Sequence, residues 1–330
     1  MNSLKYLLIN IASLIKRIII NKYSRNFIFS LLLQLTPPTK PPNTNLKTEI
    51  VSKIGHIHVK MFIMAIKSFS FFSGLSLCTT CIDDGTLTNK DKIMLKNQII
   101  GITLIQSGEA KERILLMLKN HPFCIKYRNE THKRLYTHNT ALFDLPLLAT
   151  KEKIIIIDAD ILFFRKSTEI VNWVYSNRKY CHHMAFPECH TSKVFRWGRL
   201  ILWVLAHELK SDIPIVFNDG ILCTYKSVYD LDRVEKYINR IYSLKLQNEW
   251  ISLVVILSEL YTNLQKHNNL PVYRLNTGKY VILTQCNQQI RHNVLSGPIA
   301  VHYIAQQKFI HITADSIKLL LKTRCFRKYN

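Results

Sequence analysis

Asp158 and Asp160 stand one residue apart, directly after the run Lys153-Ile154-Ile155-Ile156-Ile157. In an extended segment the side chains at i and i+2 lie on one side, so these two carboxylates converge. Adjacent anions repel unless a cation lies between them, and hard divalent metals take oxygen ligands. Metal coordination is the chemistry that this pair suits. The plain alternative is a solvated turn acid followed by a helix-capping acid. Other polar groups follow apolar runs: Asp83-Asp84-Gly85-Thr86 comes after Leu75–Ile82, and Asn218-Asp219-Gly220 comes after Ile213–Phe217. His302 lies in Ala300-Val301-His302-Tyr303, 142 positions beyond Asp160 (302 minus 160). A mixed oxygen and nitrogen donor set suits Mn²⁺ better than Mg²⁺. A metal so held would neutralise a diphosphate and act as a Lewis acid on a leaving group.

The elements that must position these groups read as alternating strands and helices. Four consecutive isoleucines predict a central strand buried on both faces. Its carboxyl end is where open α/β sheets bind ligands. Upstream, strands are expected at 48–51, 75–82 and 102–105, with helices at 59–69, 90–97 and 110–120, the last ending at His121-Pro122. A helix over 132–148 is expected to end or break near Pro146. Downstream, Ser167 is placed to cap a helix whose first turn holds Glu169. Helices are expected at 196–208, at 231–241 from the spacing of Leu231, Val234, Ile238 and Ile241, and at 250–264. This order predicts an α/β fold with a Rossmann-type doubly wound mixed sheet and flanking helices.

At 330 residues and 38.6 kDa, with 48% hydrophobic residues, the chain can bury a full core. Its formal charge of +23 favours anionic partners. The basic residues are scattered and carry no helix-turn-helix, zinc-finger or aromatic RNA-binding signature, so no nucleic-acid partner is expected. Eight cysteines dispersed through a long chain read as reduced thiols rather than a disulfide framework. Cys78-Thr79-Thr80-Cys81 would put its thiols on opposite faces of a strand. Cys181-His182-His183 with Cys189-His190 could hold zinc, but no second pair of matching spacing supports that.

Residues 1–45 form a separate basic, apolar segment. Leu4 to Ile20 is interrupted by Lys5, Lys16 and Arg17, and Phe27 to Leu35 is short, so neither run suffices to span a bilayer. They suit a membrane interface, or an amphipathic helix packed on its own domain. A Pro-rich linker, Thr36-Pro37-Pro38-Thr39-Lys40-Pro41-Pro42, follows. The expected organisation is this segment, a domain over 46–312 and a basic tail over 313–330. The expected location is cytoplasmic, with peripheral contact to an anionic membrane surface through residues 1–45.

The segment Ile154–Asp160, continued by Ile161-Leu162-Phe163, resembles the D-x-D region of GT-A-fold glycosyltransferases, especially the glycogenin-like family 8 group. Phe217-Asn218-Asp219-Gly220-Ile221 is similar to that group's F-N-[SA]-G-[VI] segment, and His302 to Lys308 resembles its terminal H-[FY]-x-G-x-x-K segment. Asp83-Asp84-Gly85 is similar to a D-D-G-S turn in many such enzymes. The resemblance implies that Asp158, Asp160 and His302 hold Mn²⁺ or Mg²⁺ against the diphosphate of a nucleotide-sugar donor. It implies that Lys308 meets a phosphate oxygen, that Asn218, Asp219 and Gly220 line the sugar pocket, and that Asp84, with Asp83, contacts ribose or base. The implied reaction is transfer to an acceptor hydroxyl on a glycan, a lipid-linked acceptor or a protein, with retention at the anomeric carbon.

The sequence departs from that pattern in places. Ala305 replaces a glycine, and Phe309-Ile310 replaces Pro-Trp. The group's D-Q pair near the reacting sugar has no clean counterpart, and Glu249, in Asn248-Glu249-Trp250, is the candidate there. A lysine expected about four helical turns before the D-x-D is Ala141 or Leu142, with Lys126 or Lys133 as substitutes from nearby turns. Two other classes compete: a catalytically silent sugar-nucleotide-binding or scaffold protein on the same fold, and a haloacid-dehalogenase-type phosphatase. The latter favours Thr or Val where Leu162 stands.

Overall fold

The computed structural model describes residues 22–130, 136–185, 217–245, 256–257, 260, 269–283, 295–304 and 308–323. The first half alternates: α1 (Lys22–Leu35), β1 (Thr48–Ile54), α2 (Val59–Ser73), β2 (Cys78–Asp83), α3 (Asn89–Gln98), β3 (Thr103–Ile105), α4 (Ser107–Met117), α5 (Pro122–Asn129) and α6 (Tyr136–Leu148). Then come β4 (Lys153–Ile157), β5 (Ile161–Phe163), α7 (Thr168–Tyr175), β6 (Cys181–Ala185), β7 (Phe217–Tyr225) and α8 (Leu231–Ser243). The last described elements are β8 (Val272–Arg274), β9 (Tyr280–Leu283), β10 (Ala300–Tyr303) and α9 (Lys308–Lys322).

Seven strands make one sheet in the order β3-β2-β1-β4-β7-β6-β8, and β5-β10-β9 make a second. The strands β3, β2, β1 and β4 run parallel, and β4 lies beside an antiparallel β7. The isoleucine run is the reason β4 is central. Ile154, Ile155 and Ile157 have no exposure, and Ile156 has 7%. Burying each such side chain contributes about 1.5–3 kcal/mol. Lys153 opens the strand inside the core, and its ammonium is held by the carbonyls of Trp173, Val174 and Ser176 at the end of α7. That arrangement satisfies orphan carbonyls where a helix macrodipole is negative.

Two expectations about the elements need correction. Pro122 does not close a helix; it sits at the first position of a separate one, α5, where its missing N–H costs nothing. Pro146 does not end α6, which continues to Leu148. A proline removes the donor for the carbonyl four residues earlier. Here that carbonyl, on Leu142, accepts instead from the Tyr229 hydroxyl at 2.7 Å. Asn218-Asp219-Gly220 lies within β7, among its first described residues, and residues 213–216 of the apolar run before it lie outside the described ones. Because β7 runs against β4, these residues reach the same sheet edge as Asp158. Ser167 stands at the N-cap of α7 without a side-chain cap bond, and the expected helix at 196–208 lies outside the described residues.

The helix α1 packs through Phe29 and Leu33, both nearly fully buried, and Ser30 accepts from Lys60 of α2 at 2.6 Å. It also packs against α9, which buries Ile312, Ile317 and Leu319 and crosses the position between 312 and 313. Below α1, Lys67 of α2 is fully buried, and its ammonium meets the Thr36 hydroxyl at 2.5 Å and the Gln98 amide oxygen. This ties the start of the Pro-rich linker to the domain. Among the described residues, no helix is long and apolar enough to cross a membrane.

Candidate metal and donor site

The acidic pair lies in the short link between β4 and β5, so it joins the two sheets. Its backbone is held from both sides: Asp158 N–H donates to Gly220 O at 2.9 Å, and Asp160 O accepts from Tyr303 N–H at 2.9 Å. The second bond belongs to the register in which β10 lies antiparallel to β5, pairing His302 with Ile161. Residues far apart in sequence thereby meet. His302 Nε2 is 3.5 Å from Asp158 Oδ2 and 3.2 Å from Asp160 Oδ1. One donor atom from each of these three residues falls within 4.8 Å of the others, a spacing that can surround a single ion. Asp158 is half-exposed, while Asp160 and His302 are buried, so the cluster opens on one side only. Burial alone would lower the His302 pKa. The negative charges of Asp160, Asp158 and Asp219 outweigh it and hold the pKa above the ordinary imidazole value.

The other face of His302 rests on β7. Its Nδ1 is 3.1 Å from Asn218 Oδ1, and the same oxygen accepts from Gly220 N–H at 3.1 Å. A Cβ at Gly220 would lie 2.5 Å from His302 Nδ1, 2.7 Å from its Cε1 and 2.9 Å from Asn218 Oδ1. The glycine is there to let the imidazole approach the strand, not for an unusual backbone angle. Asn218 is buried and Asp219 is half-buried.

At the carboxyl end of β2, Asp83 spends one oxygen on its own turn, while the other lies 3.7 Å from the Lys92 ammonium. The first accepts from Gly85 N–H at 2.7 Å and Leu87 N–H at 3.2 Å. Gly85 has φ +101°, the left-handed region that a glycine adopts freely. Asp84 accepts from the Thr86 N–H and hydroxyl at 3.0 and 2.7 Å, and packs so closely on Gly55 that a Cβ there would sit 2.2 Å from its Oδ2. Close by, at the residue before α2, His58 stacks on Phe309 with centroids 6.1 Å apart, so the start of α9 meets the β1 end of the site. Lys308 is the first residue of α9.

One cluster was missed from sequence. Asp144 of α6 is fully buried and bonds Lys53 of β1 at 2.5 Å and Arg128 of α5 at 2.9 Å. Two cations thus share one carboxylate behind the end of β1. Burial lowers the Lys53 pKa despite Asp144, and the charge of Asp84 also reaches it. The only signal was Asp144 itself, an acid on an otherwise apolar helix flank. Lys126, expected as a substitute cation, instead lies over the Tyr242 ring at 4.2 Å. Lys133 and Glu249 lie outside the described residues, as do Cys189 and His190 of the alternative zinc set. His182 and His183 alternate on β6, and His183 stacks on Phe217 while burial pushes its pKa down to about 4.

No protein-family model matches the sequence, and no curated protein matches it. Solved structures do match by shape. The galactosyltransferase LgtC, solved with donor and acceptor sugar analogues, superposes with TM-score 0.53 at 13% identity, over 83% of this chain and 95% of that one. The bifunctional glycosyltransferase WbbM matches with TM-score 0.50 at 10% identity, over 85% of this chain. The aligned part is 51% of WbbM, about half of its length. The chain has the GT-A fold. In this fold the carboxyl edge of β1, β2 and β4 is the ligand edge of the sheet. Asp84, Asp158 and Asp160 all stand there, and antiparallel β7 brings Asn218 and Gly220 to it.

Proposed function

We propose that the protein is a metal-dependent glycosyltransferase. It would move a sugar from a nucleoside-diphosphate donor to an acceptor hydroxyl, with retention, in the manner of the glycogenin-like group. The observation that carries this is the meeting of Asp158, Asp160 and His302 at the ligand edge of a GT-A sheet. Two carboxylates and an imidazole are a fitting donor set for Mn²⁺, or for Mg²⁺ with added water. A divalent cation held there would stabilise the charge that develops on the departing diphosphate.

The chain's own residues would do the rest. Asp158 and Asp160 offer carboxylate oxygens and His302 offers Nε2, all within 4.8 Å of one another. Asp84, braced by Thr86 and Gly55, would orient the ribose or base. Lys308, at the head of α9, would meet a phosphate oxygen, and Asp219 and Glu249 would face the sugar. No side chain need become a covalent nucleophile. The basic surface would suit an anionic donor and an anionic membrane surface reached through residues 1–45, where lipid-linked acceptors lie.

The test is a donor-hydrolysis screen across UDP- and GDP-sugars with Mn²⁺, on the parent chain and on Asp160→Ala. Turnover with one donor that Asp160→Ala abolishes supports the proposal. Equal turnover in both chains, or no thermal shift with any donor plus Mn²⁺, overturns it. Donor binding without turnover would instead favour a silent sugar-nucleotide-binding protein.

A further inference from the structure

The resemblance assigns Asn218 to the sugar pocket, yet its side chain is engaged elsewhere. It is buried, with 4% exposure, and its oxygen lies between two nitrogens, Gly220 N and His302 Nδ1, each 3.1 Å away. The chemistry of those partners fixes the network. A backbone N–H can only donate, so the amide atom that faces Gly220 must be the oxygen. An amide oxygen can only accept, so the imidazole nitrogen that faces it must carry a proton. His302 is thereby protonated on Nδ1 whether the ring is neutral or charged. In the neutral ring the lone pair is left on Nε2, the atom that faces Asp158 and Asp160 at 3.5 and 3.2 Å.

We propose that Asn218 is a positioning residue for the cation site, holding His302 in the Nδ1-protonated form with Nε2 turned to the two carboxylates. This rests on the metal reading above and adds a role distinct from contact with sugar. Histidine ligands commonly donate their second N–H to an acceptor that sets both tautomer and ring angle, and loss of such a partner typically weakens metal binding 10- to 100-fold. The acceptor here is neutral, and it is itself fixed by a backbone N–H two residues along the same strand. The bond crosses from β7 of the larger sheet to β10 of the smaller one, so it also sets the distance between the ligand's strand and the acidic pair.

The experiment uses the full chain and Mn²⁺ alone, without any sugar nucleotide, followed by electron paramagnetic resonance. Asn218→Ala is expected to weaken Mn²⁺ binding 10- to 100-fold, and Asn218→Asp, which keeps an oxygen acceptor in place, to restore the parent's level. A sugar-pocket residue would leave binding of the bare ion unchanged. In a folded Asn218→Ala chain, parent-like Mn²⁺ binding overturns the proposal, and so does an Asn218→Asp chain as weak as Asn218→Ala. A parent that binds no Mn²⁺ overturns the metal reading along with it. Should Asn218→Ala fail to fold, ¹⁵N histidine spectra of the Zn²⁺-loaded parent decide. Metal on Nε2 with a proton on Nδ1 supports the assignment, and metal on Nδ1 refutes it.

Discussion

Replacing Gly220 by alanine tests the geometry of the site with a single methyl group. The new Cβ would stand 2.5 Å from His302 Nδ1, against 3.4 Å for ordinary contact, so the ring must retreat by about 0.9 Å (3.4 minus 2.5). Metal–ligand distances tolerate about ±0.2 Å, so that retreat is several times what the site can absorb. The ring cannot simply swing away, because His302 is 5% exposed and flanked by β5 and β9. The methyl also lies 2.9 Å from Asn218 Oδ1 and would disturb the bond that orients the ring. We expect Gly220→Ala to weaken Mn²⁺ binding by about 10- to 100-fold, or about 1.4–2.7 kcal/mol. Calorimetric titration of the metal-ion affinity, with a circular dichroism melt as control for folding, measures this. A folded Gly220→Ala chain that binds Mn²⁺ as the parent does would refute the idea that the glycine exists to admit the imidazole.

Two further outcomes concern stability. Asp144→Asn keeps the shape of the buried cluster but strips the charge that Lys53 and Arg128 share. Breaking a buried pair in this way costs about 3–5 kcal/mol, to be read as a lower urea midpoint; a loss under about 1 kcal/mol would mean that the cations find other partners. Burial lowers the Lys67 pKa from 10.5 to about 7. Between those values the unfolded chain holds a proton that the folded chain has released, so stability rises with pH across this window, by up to about 1.4 kcal/mol per unit. Thermal melts from pH 7 to 10 should show a shallower rise for Lys67→Met than for the parent, and parallel curves would contradict the assignment.

The parts of the fold that rest on local pattern could be read directly. Four isoleucines ending in D-x-D declare a buried strand with acids at its carboxyl end, and Leu231, Val234, Ile238 and Ile241 declare a one-faced helix. Strand direction was not legible. Nothing local to Phe217–Tyr225 says that it runs against β4, the direction that brings Asn218 to the edge beside Asp158. Side-chain partners were equally hidden. That Asn218 serves His302 depends on a contact between residues 84 positions apart in the chain. The two prolines misled for a physical reason: one occupies a helix start, and the other has its orphaned carbonyl rescued by Tyr229, 87 residues distant.

The acidic link between β4 and β5 has a mechanical consequence. Asp158 is bonded to β7 of the larger sheet, whereas Asp160 is bonded to β10 of the smaller one, to which His302 also belongs. A cation gripped by all three would brace one sheet against the other. Ligand free energy would then become cohesion, worth about 2.7 kcal/mol at an ion concentration 100 times Kd. Availability of the ion would govern the lifetime of the folded molecule and its resistance to proteases.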